Sequence, residues 1–130
     1  MLGSVADALV LVVDDDARNR KLVSEVLLAA EFRTIVAETG QEAIALAAEH
    51  VPDVILMDLS LPDMDGTEAA RILRNEARTA VIPVVLLSSI SLGEDTAWLA
   101  EAGFAGCLAK PIDIDEFPDQ VRRFCRRGVG

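Results

Sequence analysis

The chain has 130 residues and a mass of 13.9 kDa, the size of one compact domain with room for one site. Twelve Lys and Arg against 22 Asp and Glu leave a net charge of -10, which opposes the attraction that nucleic acid and anionic membranes require, and with 4% aromatics and no Tyr there is no row of rings on which bases could stack. The single His50 excludes multi-histidine metal sites, and Cys107 and Cys125 cannot build a structural zinc site alone, so any metal is held by oxygen.

The first thirteen residues are apolar but lack a basic leader and run into Asp14-Asp15-Asp16, which reads as a strand and not as a signal peptide. Short apolar runs then recur between segments of helical spacing, the mark of a parallel sheet wrapped by helices. The expected strands are Ala8–Val13, Arg33–Ala37, Val54–Met57, Pro83–Leu87 and Ala105–Ala109. Val54–Met57 and Val84–Leu87 are apolar without alternation, as central strands covered on both faces should be. Arg33–Val36 is more polar and suits an edge. Between the strands, Leu22, Val23, Val26 and Leu27 fall at helical spacing, as do Ala43, Ile44, Ala47 and Ala48, then Ala69, Ile72 and Leu73. A fourth helix is expected over about Glu94–Ala102, stopped by Gly103, and a fifth over about Asp115–Arg127, stopped by Gly128, with Pro118 tolerable only in its first turn.

Five βα units give an α/β doubly wound open sheet, because a closed barrel needs about eight strands and about 250 residues. No run approaches the roughly 18 apolar residues of a membrane span. Two cysteines without a secretion signal read as reduced thiols. A soluble, cytoplasmic protein with no membrane or nucleic-acid partner is therefore expected.

Ligands of such sheets bind outside the carboxyl ends of the strands. Strand one ends in Asp14 and Asp15, strand three in Asp58, strand four in Ser88 and strand five in Lys110, which is followed by Pro111. Three converging carboxylates repel one another unless a cation neutralises them. Mg²⁺ accepts oxygen ligands and bridges carboxylates to a phosphoryl group. Lys110 adds positive charge and Ser88 a hydroxyl donor, the positioning and neutralisation that phosphoryl transfer needs. A central carboxylate is itself a candidate nucleophile.

The residues Val12-Val13-Asp14-Asp15, Asp58 within the run from Asp53 to Gly66 that contains Leu61-Pro62-Asp63-Met64-Asp65, Ser88 after Pro83-Val84-Val85-Leu86-Leu87, and Lys110-Pro111 together resemble the response-regulator receiver domain of two-component signalling. The resemblance covers residues 8–127. It implies a flavodoxin-like (βα)5 fold of strand order 2-1-3-4-5 with helices on both faces, and one receiver domain over residues 1–130 with no output domain in the chain. It implies that Asp58 accepts a phosphoryl group from a phosphohistidine on a sensor histidine kinase or a histidine phosphotransfer protein. Asp15, Asp58 and the backbone carbonyl of Ser60 would bind Mg²⁺ (or Mn²⁺), with Asp14 acting through a water, while Ser88 and Lys110 grip the phosphoryl oxygens. The switch would reposition the face of helix four, strand five and helix five that meets a downstream protein or a second copy of the chain. One departure stands out: the strand-five position three residues before the lysine, usually aromatic in the family, is Cys107. Ser60 and Ser89 stand where the family tunes phosphoryl lifetime.

Plainer readings compete at several positions. The acidic triplet suits a helix N-terminus, Ser88 a helix cap, and His50 and Arg122, Arg123, Arg126 and Arg127 suit helix C-termini. Cys107 reads as a small buried hydrophobe. A haloacid-dehalogenase-like phosphatase would use the Asp-x-Asp of Asp14 and Asp16, with Ser88, Lys110, Asp113 and Asp115, but has Arg18 where Thr or Val is expected and leaves Asp58 unused. A flavodoxin would suffer phosphate repulsion from the acids. A receiver-shaped module that never takes up phosphate would not need the acceptor, lysine and metal carboxylates together. The receiver reading covers a single-domain regulator, a phosphorelay shuttle or a piece of a hybrid kinase.

Overall fold

Strand residues that are apolar at every position must be covered on both faces. In the computed structural model, which describes residues 8–88 and 97–125, they are. The elements run β1 (Leu9–Val13), α1 (Ala17–Ala29), β2 (Arg33–Ala37), α2 (Gly40–His50), β3 (Val54–Asp58), α3 (Gly66–Asn75), β4 (Val84–Ser88), α4 (Ala97–Ala102), β5 (Gly106–Ala109) and α5 (Phe117–Phe124). The five strands form one parallel sheet in the order β2-β1-β3-β4-β5.

Because successive side chains on a strand point to opposite faces, each central strand feeds two cores. Val10, Val12, Val54, Leu56, Val85 and Leu87 pack with Val23 and Leu27 of α1 and Phe117 and Val121 of α5. Leu11, Val13, Ile55, Met57, Val84 and Leu86 pack with Ala43 and Ala47 of α2, Ala69 and Leu73 of α3, and Leu99 of α4. Helices thus cover both faces. The polar β2 lies at an edge, with Val36 exposed at 44%.

Several boundaries shift from expectation for local reasons. Strand four starts at Val84, since Pro83 has no N–H to give the ladder. Strands three and four each extend one residue further, so that Asp58 and Ser88 are the last paired residues of β3 and β4. Helix five starts at Phe117 and not near Asp115. The Asp113 carboxylate accepts the N–H groups of Asp115 (2.9 Å) and Glu116 (3.3 Å) in a turn, which delays the helix until Pro118 stands in its first turn. The helix ends at Phe124, where Cys125 is already extended. The expected start of helix four near Glu94, as well as Ser89, Arg126, Arg127 and Gly128, lie outside the described residues. Gly103 follows α4 with φ +99, a conformation that ends a helix and that side chains with a Cβ rarely adopt.

Candidate functional site

The parallel register brings every strand to an end on one edge of the sheet, and the ladders run one residue past the strands. Asp14 N–H donates to the Ala37 carbonyl (3.1 Å) and Lys110 N–H to the Ser88 carbonyl (2.9 Å). Asp14 and Lys110 are therefore fixed by backbone hydrogen bonds at the lip of the sheet, beside Asp58, which pairs with Leu87.

Carboxylate oxygens of Asp14, Asp15 and Asp58 all lie within 4.8 Å of one another. Their burial is graded: Asp14 is fully buried, Asp58 half-buried and Asp15 exposed. Lys110 Nζ stands 3.3 Å from Asp14 Oδ2, to which it donates, and 3.4 Å from Asp58 Oδ1, shared between the two, with both distances longer than a tight charge-assisted bond of about 2.7–2.9 Å. Burial lifts the Asp58 carboxyl above its ordinary value of 3.8; Lys110 and the Leu59 N–H pull against it, and the charge of Asp14 adds to the rise. Three carboxylates and one ammonium leave two negative charges in the pocket. All the donors are hard oxygens, a set that suits a divalent cation of the Mg²⁺ class.

The acidic triplet divides its work. Asp14 Oδ1 accepts the Asp16 N–H at 2.9 Å, and its Oδ2 accepts the side-chain amide of Asn19. Arg20 donates to the Asp14 backbone carbonyl (2.7 Å) and reaches Glu38 at 3.8 Å. Asp16 faces away as the N-cap of α1, accepting the N–H groups of Arg18 (2.9 Å) and Asn19 (3.4 Å). The helix-terminus reading thus holds for one of the three aspartates only.

The loop from Asp58 to α3 is tied down at three points. Gly66 N–H donates to the Leu59 carbonyl at 2.7 Å, Ser60 bridges Asp65 in an isolated antiparallel pair, and both oxygens of Asp63 accept N–H groups at the start of α2, Gly40 at 2.8 Å and Gln41 at 2.9 Å. Those bonds hold the Asp63 carboxyl below its ordinary range. Gly66 is required by close approach: a Cβ there would stand 2.7 Å from the Asp58 carbonyl oxygen.

Asp14, Asp15, Asp58 and Lys110 are thus brought together. Ser88 is buried at the adjoining strand end and Ser60 lies two residues beyond Asp58. His50 closes α2 beside Glu49 and takes no part. Arg122 is engaged within the fold by Asp119 (2.5 Å), the Ala30 carbonyl (3.4 Å) and the face of Phe32 (5.4 Å). Cys107 is half-buried at the edge of one core, and burial pushes its thiol up from 9.0, as expected of a small hydrophobe. Asn19 and Arg20 were not singled out by sequence, and Asp63 stood only within the matching run after Asp58, without a role. An Asn in the first turn of a helix, where it is a mediocre helix former, was the available signal for the first. The Lys110–Pro111 peptide is cis.

Residues 10–122 match the family model of the response regulator receiver domain. The polar-differentiation response regulator DivK of Brucella ovis is 31% identical over 115 residues, covering 88% of this chain and 94% of that protein. Among solved structures, the chemotaxis response regulator CheY4 of Vibrio cholerae superposes with a TM-score of 0.84 at 30% identity, over 91% of this chain and 98% of the other. The receiver domain of a sensor histidine kinase from Pseudomonas aeruginosa, whose structure holds a magnesium ion coordinated in its active-site cleft, gives 0.82 at 28% identity, over 91% and 97%.

Proposed function

Because the chain belongs to the response regulator receiver domain family, we propose that Asp58 is its phosphoacceptor, taking a phosphoryl group from the phosphohistidine of a sensor histidine kinase or histidine phosphotransfer protein. The observation that carries this is the meeting of Asp14, Asp15 and Asp58 within 4.8 Å, with Lys110 Nζ between Asp14 and Asp58. Receiver domains are regulatory phosphoacceptors and not catalysts in the usual sense, and they bind Mg²⁺ at an acidic pocket. Here Asp15, Asp58 and the Ser60 backbone carbonyl are the proposed ligands of Mg²⁺ (or Mn²⁺). Asp14 has both oxygens occupied by Asp16, Asn19 and Lys110, which favours an indirect role through a water. The bound cation supplies neutralisation of the phosphoryl oxygens.

The chain's own groups do the rest. A carboxylate oxygen of Asp58 attacks phosphorus as the bond from phosphorus to the histidine nitrogen breaks, leaving an acyl phosphate on Asp58 and a neutral imidazole on the donor once it regains a proton. Lys110 has a charge-assisted bond to offer a phosphoryl oxygen without leaving the pocket, and the Ser88 hydroxyl offers another. Engagement of Ser88 shifts the population toward a state that a downstream protein, or a second copy, recognises at α4, β5 and α5. The unit acting this way spans residues 8–127, with a cytoplasmic site of action as part of the proposal, a compartment that keeps cysteines such as Cys107 and Cys125 reduced; among the described residues no helix is long and apolar enough to cross a membrane.

The rival readings are not favoured. Asp16 is spent as a helix cap and Asp14 is fully buried, so the Asp-x-Asp pattern of a phosphatase presents no nucleophile. The test is intact-protein mass after incubation with acetyl phosphate, with and without Mg²⁺. One phosphoryl adduct that needs both Mg²⁺ and Asp58 is expected. An adduct that persists in Asp58→Asn overturns the assignment, and Lys110→Ala is expected to blunt the conformational response more than the labelling itself.

A further inference from the structure

Asp14 is the one pocket carboxylate with no exposure, and its hydrogen-bond partners divide unequally. Oδ1 belongs to the Asp16 backbone. Oδ2 is shared by two donors of different kind, the neutral amide of Asn19 and the ammonium of Lys110. A buried carboxylate left short of donors would draw the nearest cation onto itself, because an uncompensated buried charge is costly. That cation is Lys110, the group that Asp58 also faces. Asn19 sits in the first turn of α1, five residues from Asp14, and its backbone is already held by the Asp16 cap. Its side chain is therefore free to serve Asp14. An acidic residue, otherwise favoured in the first turn of a helix, would bring a fourth negative charge to the pocket there and no donor.

We propose that Asn19 is a positioning residue of the pocket: its amide satisfies Asp14 Oδ2, so that Lys110 stays between Asp14 and Asp58 instead of collapsing onto Asp14. The inference rests on the reading of the pocket as a cation site made in the preceding section. Loss of the Asn19 amide turns Asp14 and Lys110 into a closed pair. It withdraws Asp14 from the hydration shell of a bound cation and Lys110 from Asp58. Partners of this kind, one step removed from the metal, are worth about tenfold to a hundredfold in metal affinity.

The experiment measures Mg²⁺ affinity by titration calorimetry for the wild type, Asn19→Leu, Asn19→Ala, Lys110→Ala and the Asn19→Leu/Lys110→Ala double variant, with the thermal midpoint of each recorded in parallel. Asn19→Leu keeps the branched shape and removes the donor, and Asn19→Ala guards against a packing artefact of the bulkier leucine. Both are expected to bind Mg²⁺ at least about tenfold more weakly than the wild type. In the Lys110→Ala background the same Asn19 substitution is expected to cost less than about threefold, because the lysine that would capture Asp14 is gone; a purely structural role would give equal losses in both backgrounds. A wild type that binds no Mg²⁺ overturns the cation-site reading and the proposal with it. A wild type that binds Mg²⁺, with Asn19 variants that match it or that lose equally in both backgrounds, overturns the role of Asn19 alone.

Discussion

One methyl group added at position 66 tests whether the backbone behind Asp58 sets the reactivity of the site. The Cβ of Gly66→Ala would lie 2.7 Å from the Asp58 carbonyl oxygen, 3.0 Å from Leu59 Cα and 3.1 Å from the Leu59 carbonyl oxygen. Carbon and oxygen rest at about 3.3–3.6 Å, so the gap must open by about 0.6–0.9 Å. All three opposing atoms are backbone, which no rotamer change can move aside, and the Gly66 N–H bond to Leu59 pulls the two segments together at 2.7 Å. Overpacking of this kind costs about 1–3 kcal/mol, a fall of about 4–12 °C in Tm for a domain of this size. The same displacement shifts the peptide that carries the Asp58 side chain, and misplacements near 1 Å cost about a hundredfold in rate. Labelling by acetyl phosphate, followed by intact mass against time, should therefore slow about a hundredfold. Gly103→Ala is the control: φ +99 makes it strained, at about 1–2 kcal/mol, but its Cβ makes only ordinary contacts, with Arg74 Cδ at 3.4 Å and the Ala70 carbonyl oxygen at 3.6 Å, far from the pocket. It should lose stability and keep its labelling rate. Wild-type labelling in Gly66→Ala, or equal losses in both variants, would refute the reasoning.

The raised carboxyl of Asp58 makes the folded state hold that proton more tightly than the unfolded chain. Its contribution to stability accordingly falls as pH rises from about 4 through the raised value. Mg²⁺ binds the ionised form and returns the loss, so the Mg²⁺-induced rise in Tm should grow with pH across that window; a rise that shrinks with pH contradicts this. Asp63 has the opposite sign. Its carboxyl is held low by the Gly40 and Gln41 N–H groups, so its contribution is present above its ordinary value and disappears as pH falls through the lowered one. Asp63→Asn should lower the urea midpoint at neutral pH and match the wild type in strong acid, and a gap that persists there would count against the clamp. The Cys107 thiol, pushed up by burial, should react with iodoacetamide at neutral pH more slowly than a free cysteine when followed in Cys125→Ser.

The fold was legible because its pattern is carried by unbroken apolar runs. Val54–Met57 and Val84–Leu87 have no polar face, so they demand cover on both sides, and the two cores split their residues alternately. Polar Arg33 and Thr34 marked an edge for the complementary reason. Boundaries were less legible because they turn on single hydrogen bonds. Nothing in the periodicity says that Asp113 will fold its carboxylate back over Asp115 and Glu116 and delay α5, or that Pro83 will drop out of β4.

The reactive residues and their supports differ in how a sequence can expose them. Asp14, Asp58, Ser88 and Lys110 interrupt the apolar strands at the one edge where this topology gathers ligands, so strand and residue type together point to them. Asn19 and Asp63 lie on a helix turn and a loop, where polar residues are ordinary, and Asp63 meets Gly40 across 23 positions of sequence. Their roles exist only once the chain has closed. Asp63 ties the start of α2 to the loop that carries Ser60, and Asn19 ties α1 to Asp14. The pocket is therefore braced by helices on both faces of the sheet. The cost of holding like charges together is offset by Lys110 within the cluster and, one step removed from it, by the Asn19 amide that donates to Asp14. Substitutions in Asn19 or in the Asp63 anchor should alter the chemistry while every residue that reads as chemical remains in place.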